Sequence, residues 1–307
     1  MSFSSDVKAE LARVTAGDTK EIRAEIAGIL IGCASICKIK NMDVLRVETE
    51  NSRLARKYFT LVKKTYKIDI VLSVEKTNRI GRKSIYHVDI TDAYSTGQLL
   101  ADTHVSRDGA FLRIADESLI ESVETKAAFA RGIFLASGTV SNPEKSYHFE
   151  INCKSMVDAD IVRMCLEALD TAPKIVCRKD EFVVYIKGSD MISLLLGHMG
   201  AINSLMAFEN VRIMKDVKNK VHRRVNCETA NIKKTVSAAV EQIKDIEKIS
   251  EKIGLKALPP MLYDIAQARL ANPQATLIDL GESMTPPISK SCVNHRLRKI
   301  SELADSL

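Results

Sequence analysis

Residues 26–35 read Ile26-Ala27-Gly28-Ile29-Leu30-Ile31-Gly32-Cys33-Ala34-Ser35, and residues 132–139 read Gly132-Ile133-Phe134-Leu135-Ala136-Ser137-Gly138-Thr139. Both stretches are apolar and set with small residues: Ala27, Gly28, Gly32 and Ala34 in or beside the first, Ala130, Gly132, Ala136 and Gly138 in or beside the second. How closely two helices approach is set by the side chains at their contact, so small residues here allow near backbone contact. The longest apolar run, Ile26 to Ile36, is too short to cross a bilayer, which needs about 20 residues. Gly28 and Gly132 lie 104 positions apart, and Glu48 and Glu150 lie 102 apart. A near-constant offset of this size points to duplicated half-domains packed face to face, not to a solenoid.

Working outward, both copies give the order helix, strand, strand, helix, strand, strand, helix. In the first copy, Ile22, Ile26, Ile29 and Leu30 fall at helical spacing and predict a helix over 21–34. Strand patterns follow at 45–49, 69–74 and 84–90, with a helix at 51–67, a polar hairpin loop at 78–83 and a short helix at 93–100. In the second copy a helix over 122–136 carries Val123, Ala127, Ala130 and Phe134. Asn142-Pro143-Glu144-Lys145 is a turn signal. Strands are expected at 147–153, 174–177 and 182–187, and helices at 158–169 and 191–198. The halves are placed at 1–104 and 122–217, joined by a linker, 105–121, with one short hairpin. Gly200-Ala201-Ile202-Asn203-Ser204 reads as a turn.

Beyond Val217 the texture changes. Apolar residues at 232, 236, 239, 240, 243, 246, 249 and 253 form one helical stripe with Glu and Lys opposite, so 218–253 is read as a linker helix. Gly254-Leu255-Lys256-Ala257-Leu258-Pro259-Pro260 stops it, and a last domain occupies 254–307. Three helices are legible there, at 261–271, 277–284 and 290–303. Asn272-Pro273 ends the first, because proline disfavours helical geometry in the residue before it. Thr276 with Asp279 resembles a capping box, Thr285-Pro286-Pro287 forces a turn, and Ser289 caps the third. Leu277, Leu280 and Met284 are spaced to face Val293, Leu297 and Ile300. That is a helix-turn-helix layout running from Thr276 to Leu303.

On the other face of the third helix lie Ser291, Asn294, His295 and Arg298, flanked by Ser289, Lys290, Arg296 and Lys299. No acid occurs from Ser283 to Ser301. Asn pairs with adenine and Arg with guanine through two hydrogen bonds each, while Lys and Ser suit phosphate. These eight residues are the candidate contacts to double-stranded DNA. A small helical protein-interaction module with a merely soluble basic face is the alternative.

The 307 residues are 46% hydrophobic and 27% charged, which excludes disordered and coiled-coil classes. Net charge is +6, unevenly spread: residues 218–307 hold 15 Lys/Arg against 10 Asp/Glu, and the first 217 hold 30 against 29. A basic end suits a polyanion, though an ordinary solvated surface gives the same count. Seven cysteines, odd in number and without a CxxC pair, indicate a reducing cytoplasm and not a disulfide framework. The start, MSFSSDVKAELARV, has no signal-peptide pattern. No GxGxxG or GxxxxGK[ST] loop occurs. Cys33 and Cys37, one helical turn apart, are read as inert buried thiols for want of further zinc-spaced ligands. His148 and His198 are read as packing residues, and Asp158 and Asp160 as lying on different faces of a helix. Arg79, Arg82 and Lys83 at one hairpin and Arg178 and Lys179 at the matching one are candidates to touch DNA. The near-neutral first 217 residues favour weak or no duplex binding there.

The segment 26–35 resembles the LAGLIDADG helix of homing endonucleases, and 132–139 resembles a second copy of it. The resemblance implies that the two helices form the interface between two αββαββα halves. Those enzymes hold a divalent metal on a carboxylate near the end of each such helix. The corresponding positions are Cys33 and Ser137, and neither suits a hard cation. A shift of one residue gives Gly32 or Ala34, and Ala136 or Gly138, so no alignment restores an acid. A degenerate pair of this kind followed by a helix-turn-helix is similar to the WhiA family of bacterial regulators. Lys145-Ser146-Tyr147-His148-Phe149-Glu150, Val225-Asn226-Cys227-Glu228-Thr229-Ala230-Asn231 and Lys290-Ser291-Cys292-Val293-Asn294-His295-Arg296-Leu297-Arg298 carry that resemblance. Cys292 departs from it, standing where a small residue such as Gly is expected.

The expected fold class is α+β: a duplicated αββαββα LAGLIDADG-like domain, then an all-α helix-turn-helix domain. The resemblance implies a non-enzymatic, sequence-specific DNA-binding protein acting in transcription, cell division, chromosome segregation or sporulation. It implies a cytoplasmic, nucleoid-associated location and double-stranded DNA as partner, with another transcription factor or a division protein as a further partner. No catalytic residue, cofactor, metal or membrane contact is expected. The alternatives are an interaction scaffold of the division machinery and a metal-dependent homing endonuclease.

Overall fold

The computed structural model describes residues 2–15, 17–76, 84–108, 111–114, 117–179 and 181–307. A first helix, α1 (Phe3–Leu11), is capped by Ser2, whose hydroxyl accepts from the Ser5 amide. Helix α2 (Thr19–Cys33) starts at Asp18, whose carboxylate accepts the Glu21 amide at 2.8 Å. There follow β1 (Ala34–Ile39), β2 (Met42–Thr49), α3 (Ser52–Tyr66), β3 (Val71–Lys76), β4 (Ser84–Ile90) and α4 (Ala93–Asp102). The strands form an antiparallel sheet in the order β1-β2-β4-β3. A hairpin of β5 (Val105–Asp108) and β6 (Phe111–Ile114) leads to the second half.

That half repeats the pattern with α5 (Val123–Ser137), β7 (Gly138–Val140), β8 (Phe149–Cys153), α6 (Met156–Glu167), β9 (Lys174–Arg178), β10 (Glu181–Ile186) and α7 (Ser189–Met199). Its sheet runs β7-β8-β10-β9, the same order as the first. The duplication read from two glycine-bearing segments is therefore a duplication of topology.

Helices α2 and α5 pack against each other at the centre of one shared core. A Cβ on Gly28 would sit 2.4 Å from the Phe129 carbonyl oxygen, and one on Gly132 would sit 2.2 Å from the Glu25 carbonyl oxygen. No side chain fits at such a distance, so glycine is what lets the backbones meet. Around this seam Ile26, Ile29, Phe129, Ile133 and Phe134 pack against Val47, Val88, Phe149, Ile151 and Val184 from the sheets. Phe134 and Phe149 stack with centroids 4.9 Å apart.

Strands β1 and β7 correct the sequence reading, which named no strand before 45 in the first copy or before 147 in the second. Strand β1 follows α2 without a Gly–Pro break or a polar cluster, so the period changes from 3.6 to 2 inside one apolar run, while β7, starting at Gly138, is only three residues long and shows no period of its own. Burial alternates along β1, with Ala34 and Ile36 buried and Ser35 and Cys37 half-buried. Cys37 is consequently a strand residue and not one helical turn from Cys33.

By compactness the chain divides into residues 1–215 and 216–307. Helix α8 (Ile202–Lys252) has 51 residues, so the expected start of the linker helix at 218 is also corrected. Gly200 ends α7 with a φ of +92°, and the turn is over by Ala201. Glu10 of α1 then caps the new helix: its carboxylate accepts the Asn203 and Ser204 amides at 2.7 and 2.9 Å and the Ser204 hydroxyl at 2.6 Å. Of the expected apolar stripe, Ala239, Ile246 and Ile249 are buried, while Ile232, Val236, Val240 and Ile253 are exposed. The second unit also holds α9 (Pro260–Ala271), α10 (Leu277–Glu282) and α11 (Lys290–Asp305). Ile246 and Ile249 join Leu262, Ile265, Leu280, Val293, Leu297 and Ile300 in its core. The end of α8 is thus part of the helix-turn-helix body and not a bare linker. Among the described residues no helix is long and apolar enough to cross a membrane.

Candidate nucleic-acid interface

Local chemistry fixes each element of the C-terminal motif. Thr276 and Asp279 form a reciprocal capping box at the start of α10: the Asp279 amide donates to the Thr276 hydroxyl at 3.3 Å, and the Thr276 amide donates to the Asp279 carboxylate at 2.9 Å. Those hydrogen bonds hold the Asp279 carboxyl below its ordinary pKa. Ser289 caps α11 by accepting the Cys292 amide at 3.3 Å. Between the two helices the Ile288 amide donates to the Gly281 carbonyl at 3.0 Å. A Cβ on Gly281 would meet the Ile288 carbonyl oxygen at 2.3 Å, so this glycine sets the tightness of the turn. The sequence reading did not single it out.

The facing sets are as expected in position and unequal in depth. Leu280, Val293, Leu297 and Ile300 are buried, while Leu277 and Met284 are partly buried against the same core. Lys248 of α8 donates to the Ala304 carbonyl at 2.7 Å, and Ser301 donates to the Asp245 carboxylate at 2.5 Å, bracing α11 from behind. Arg269, 2% exposed, was also missed. It continues the buried face Leu262, Ile265 and Ala266 of α9 and donates to the Ala275 carbonyl at 2.7 Å, pinning the loop before α10. Desolvation lowers its pKa. A cation in register with an apolar face was the available signal.

Of the eight candidate DNA contacts, Ser289, Lys290, Ser291, Asn294, His295, Arg298 and Lys299 are exposed, and Arg296 is half-buried. The N-terminal half of α11 therefore presents donors and cations beside the partial positive charge of its own helix end. Arg298 Nε lies 3.1 Å from Glu302, an acid one residue past the acid-free stretch. With 77% and 61% exposure, such a pair is weak and exchangeable.

In the first unit Cys33 and Ser137 are the last residues of α2 and α5. The Cys33 thiol donates to the Ile29 carbonyl at 3.4 Å and the Ser137 hydroxyl to the Ile133 carbonyl at 3.3 Å. Desolvation pushes the thiol up to about 12, against the pull of Lys154 and Lys8. Lys154 donates to the Ala34 carbonyl at 3.3 Å. A protonated thiol, an alcohol and nearby ammonium groups do not fit a hard divalent cation. Among the described residues no group of three or more His, Cys, Asp or Glu is arranged to hold a metal.

The sheets carry charge that is internally balanced. Arg46 makes a two-pronged pair with Asp89 at 2.8 and 2.7 Å, and His87 lies between Glu48 at 3.6 Å and Glu75 at 3.3 Å. On the second sheet Glu150 receives Thr139 at 3.1 Å, meets His148 at 3.0 Å and pairs with Arg178 at 3.3 Å. Burial opposes ionisation of Glu150, but the His148 and Thr139 hydrogen bonds bring its pKa below the ordinary value. His148 packs its ring against Tyr185, with centroids 5.8 Å apart, and adds to that packing the polar contact with Glu150. Arg79, Arg82 and Lys83 lie outside the described residues.

A pair of glycine-seamed αββαββα halves and a capped three-helix motif define a degenerate LAGLIDADG scaffold joined to a helix-turn-helix. Three family models match the chain: the WhiA N-terminal LAGLIDADG-like domain over residues 19–106, the WhiA LAGLIDADG-like domain over 126–218, and the WhiA C-terminal HTH domain over 221–304. A "Probable cell division protein WhiA" of Clostridium perfringens is 39% identical over 311 residues, covering 100% of this chain and 98% of that one. The crystal structure of full-length DUF199/WhiA from Thermatoga maritima matches with a TM-score of 0.61 at 24% identity, covering 100% and 99% of the two chains. That of the N-terminal LAGLIDADG domain of DUF199/WhiA matches with a TM-score of 0.51 at 20% identity, covering 64% and 90%. The chain belongs to the WhiA family.

Proposed function

We propose that this chain is a sequence-specific double-stranded DNA-binding protein without enzymatic activity, regulating transcription in the service of cell division. The observation that carries the reading is the acid-free, exposed N-terminal face of α11, held rigid by caps at Thr276 and Ser289. In this reading α11 enters the major groove, where Asn294, His295 and Arg298 read base edges. Lys290, Arg296 and Lys299, with the Ser289 and Ser291 hydroxyls, hold phosphates. The role in cell division is carried over from the name its relatives bear. Chromosome segregation, sporulation, a nucleoid location and a second transcription factor or division protein as partner rest on the family resemblance. Absence of nuclease activity is supported by the poor fit of Cys33 and Ser137 to a divalent metal.

Selection of bound duplexes from a random pool by the full chain tests this directly. One enriched motif, lost in an Asn294→Ala/Arg298→Ala variant, is the expected result. A flat pool, or a motif that survives that variant, overturns it. Incubation of supercoiled plasmid with the protein and Mg²⁺ or Mn²⁺ is expected to leave the plasmid intact.

A further inference from the structure

A cavity of about 460 Å³ opens in the first unit, far in sequence from the helix-turn-helix. It lies between the segment after α1, the first turn of α2 and one face of α3. Helix α3 contributes Arg53, Arg56, Lys57, Leu61 and Lys64, all on one helical face. Arg13 lines it from the segment after α1, and Val14, Ile22 and Leu61 give it an apolar surface continuous with the core.

Among the described residues no carboxylate lines this cavity. Lys57, 7% exposed, is already held: its ammonium lies 2.5 Å from Glu25 and donates to the Leu11 and Val14 carbonyls at 2.9 and 2.8 Å. Among the described residues Arg13, Arg53, Arg56 and Lys64 form no ion pair. Four unpaired cations gather around one apolar recess in a segment of 217 residues that holds 30 Lys/Arg against 29 Asp/Glu in all.

Three of the four are arginines, whose planar fork matches phosphate oxygens in a two-pronged geometry. The volume falls in the range of small-molecule sites, which combine apolar walls with a few convergent polar groups. We propose that this cavity binds a phosphorylated small molecule with an apolar or aromatic body, its phosphates on Arg13, Arg53, Arg56 and Lys64 and its body against Val14, Ile22 and Leu61. The site is independent of the DNA-reading helix.

Calorimetric titration of the full chain at low ionic strength, without divalent metal, tests this with ADP and with inorganic pyrophosphate. Saturable binding at one site is expected, tighter for ADP because adenosine covers the apolar surface. Arg53→Ala/Arg56→Ala removes two exposed side chains and should weaken binding at least ten-fold, with the thermal midpoint of the free protein and its duplex affinity unchanged. Lys64→Ala, at another exposed position, should act in the same direction. Absence of saturable binding by either probe overturns the proposal. So does binding that these variants leave intact, or binding abolished instead by Lys290→Ala/Lys299→Ala, which places the anion on α11. Duplex affinity measured in parallel reports separately on the DNA-binding reading.

Discussion

Glu25 has no exposed surface, although it sits on a helix whose neighbouring residues are almost all apolar. Its carboxylate lies 2.5 Å from the Lys57 ammonium and 3.1 Å from the Arg131 guanidinium, so one anion serves two cations across the seam between the halves. Burial pulls the Lys57 pKa down, and Glu25 pulls it back up. Arg131 also donates to the Met199 carbonyl at 3.2 Å. Removing the charge in Glu25→Gln leaves two buried cations without an anion, which should cost about 3–5 kcal/mol in urea unfolding. Lys8 is the second residue with an electrostatic cost. It lies 5.7 Å from the Phe134 ring centroid, and desolvation brings its pKa from 10.5 to about 8. Between pH 8 and 10.5 the native state binds fewer protons at Lys8 than the unfolded state does. Its contribution to stability therefore rises with pH through that window, and the full cost of burial is present below pH 8. Lys8→Met is expected to raise the urea midpoint at pH 7 and to flatten its rise toward pH 10. Neither residue was singled out by periodicity. Glu25 and Arg131 are 106 positions apart, and nothing local marks them as partners.

At the scale of elements, legibility followed the presence of local punctuation. Helices α10 and α11 begin at the Thr276 and Ser289 caps read from the sequence, and β4 spans the residues expected of it. Strand β1 was invisible because the chain passes from helix to strand inside one apolar run. The early start of α8 was invisible because its cap, Glu10, comes from α1. That carboxyl is opposed by burial but held below its ordinary pKa by the Ser204 and Asn203 hydrogen bonds. A helix end secured from 193 positions away leaves no mark within its own window. The candidate site was the most legible part, since α11 needs only caps, an inward stripe and an outward face. The placement of Arg298 at an exposed position on that face supports one further expectation. Arg298→Ala should weaken binding to a cognate duplex by about 1–3 kcal/mol in a gel-shift titration, with discrimination lost at one base position. Glu302→Gln, which only frees the arginine, should leave that discrimination in place.

Across the whole molecule, charge is organised differently in the two units, and this difference is measurable. On the two sheets of the first unit Arg46 is committed to Asp89 and Arg178 to Glu150, and its unpaired Arg13, Arg53, Arg56 and Lys64 lie apart from them around the recess. The two paired cations have little attraction left for a phosphate. In the second unit, Lys290 and Lys299 are exposed on the face that carries the proposed base contacts Asn294, His295 and Arg298. Each phosphate neutralised on a duplex releases counterions, so the slope of log affinity against log salt counts the contacts made. Neutralising Lys290 and Lys299 together should make that slope shallower by about 2, and should weaken all duplex sequences nearly alike. Arg178→Ala, 57% exposed and paired, should leave the slope where it was. Fluorescence anisotropy of the full chain on a labelled duplex, repeated at several salt concentrations, separates these cases. A slope that responds to Arg178 and ignores the two lysines would mean that the duplicated scaffold, and not its C-terminal helices, is what holds the duplex.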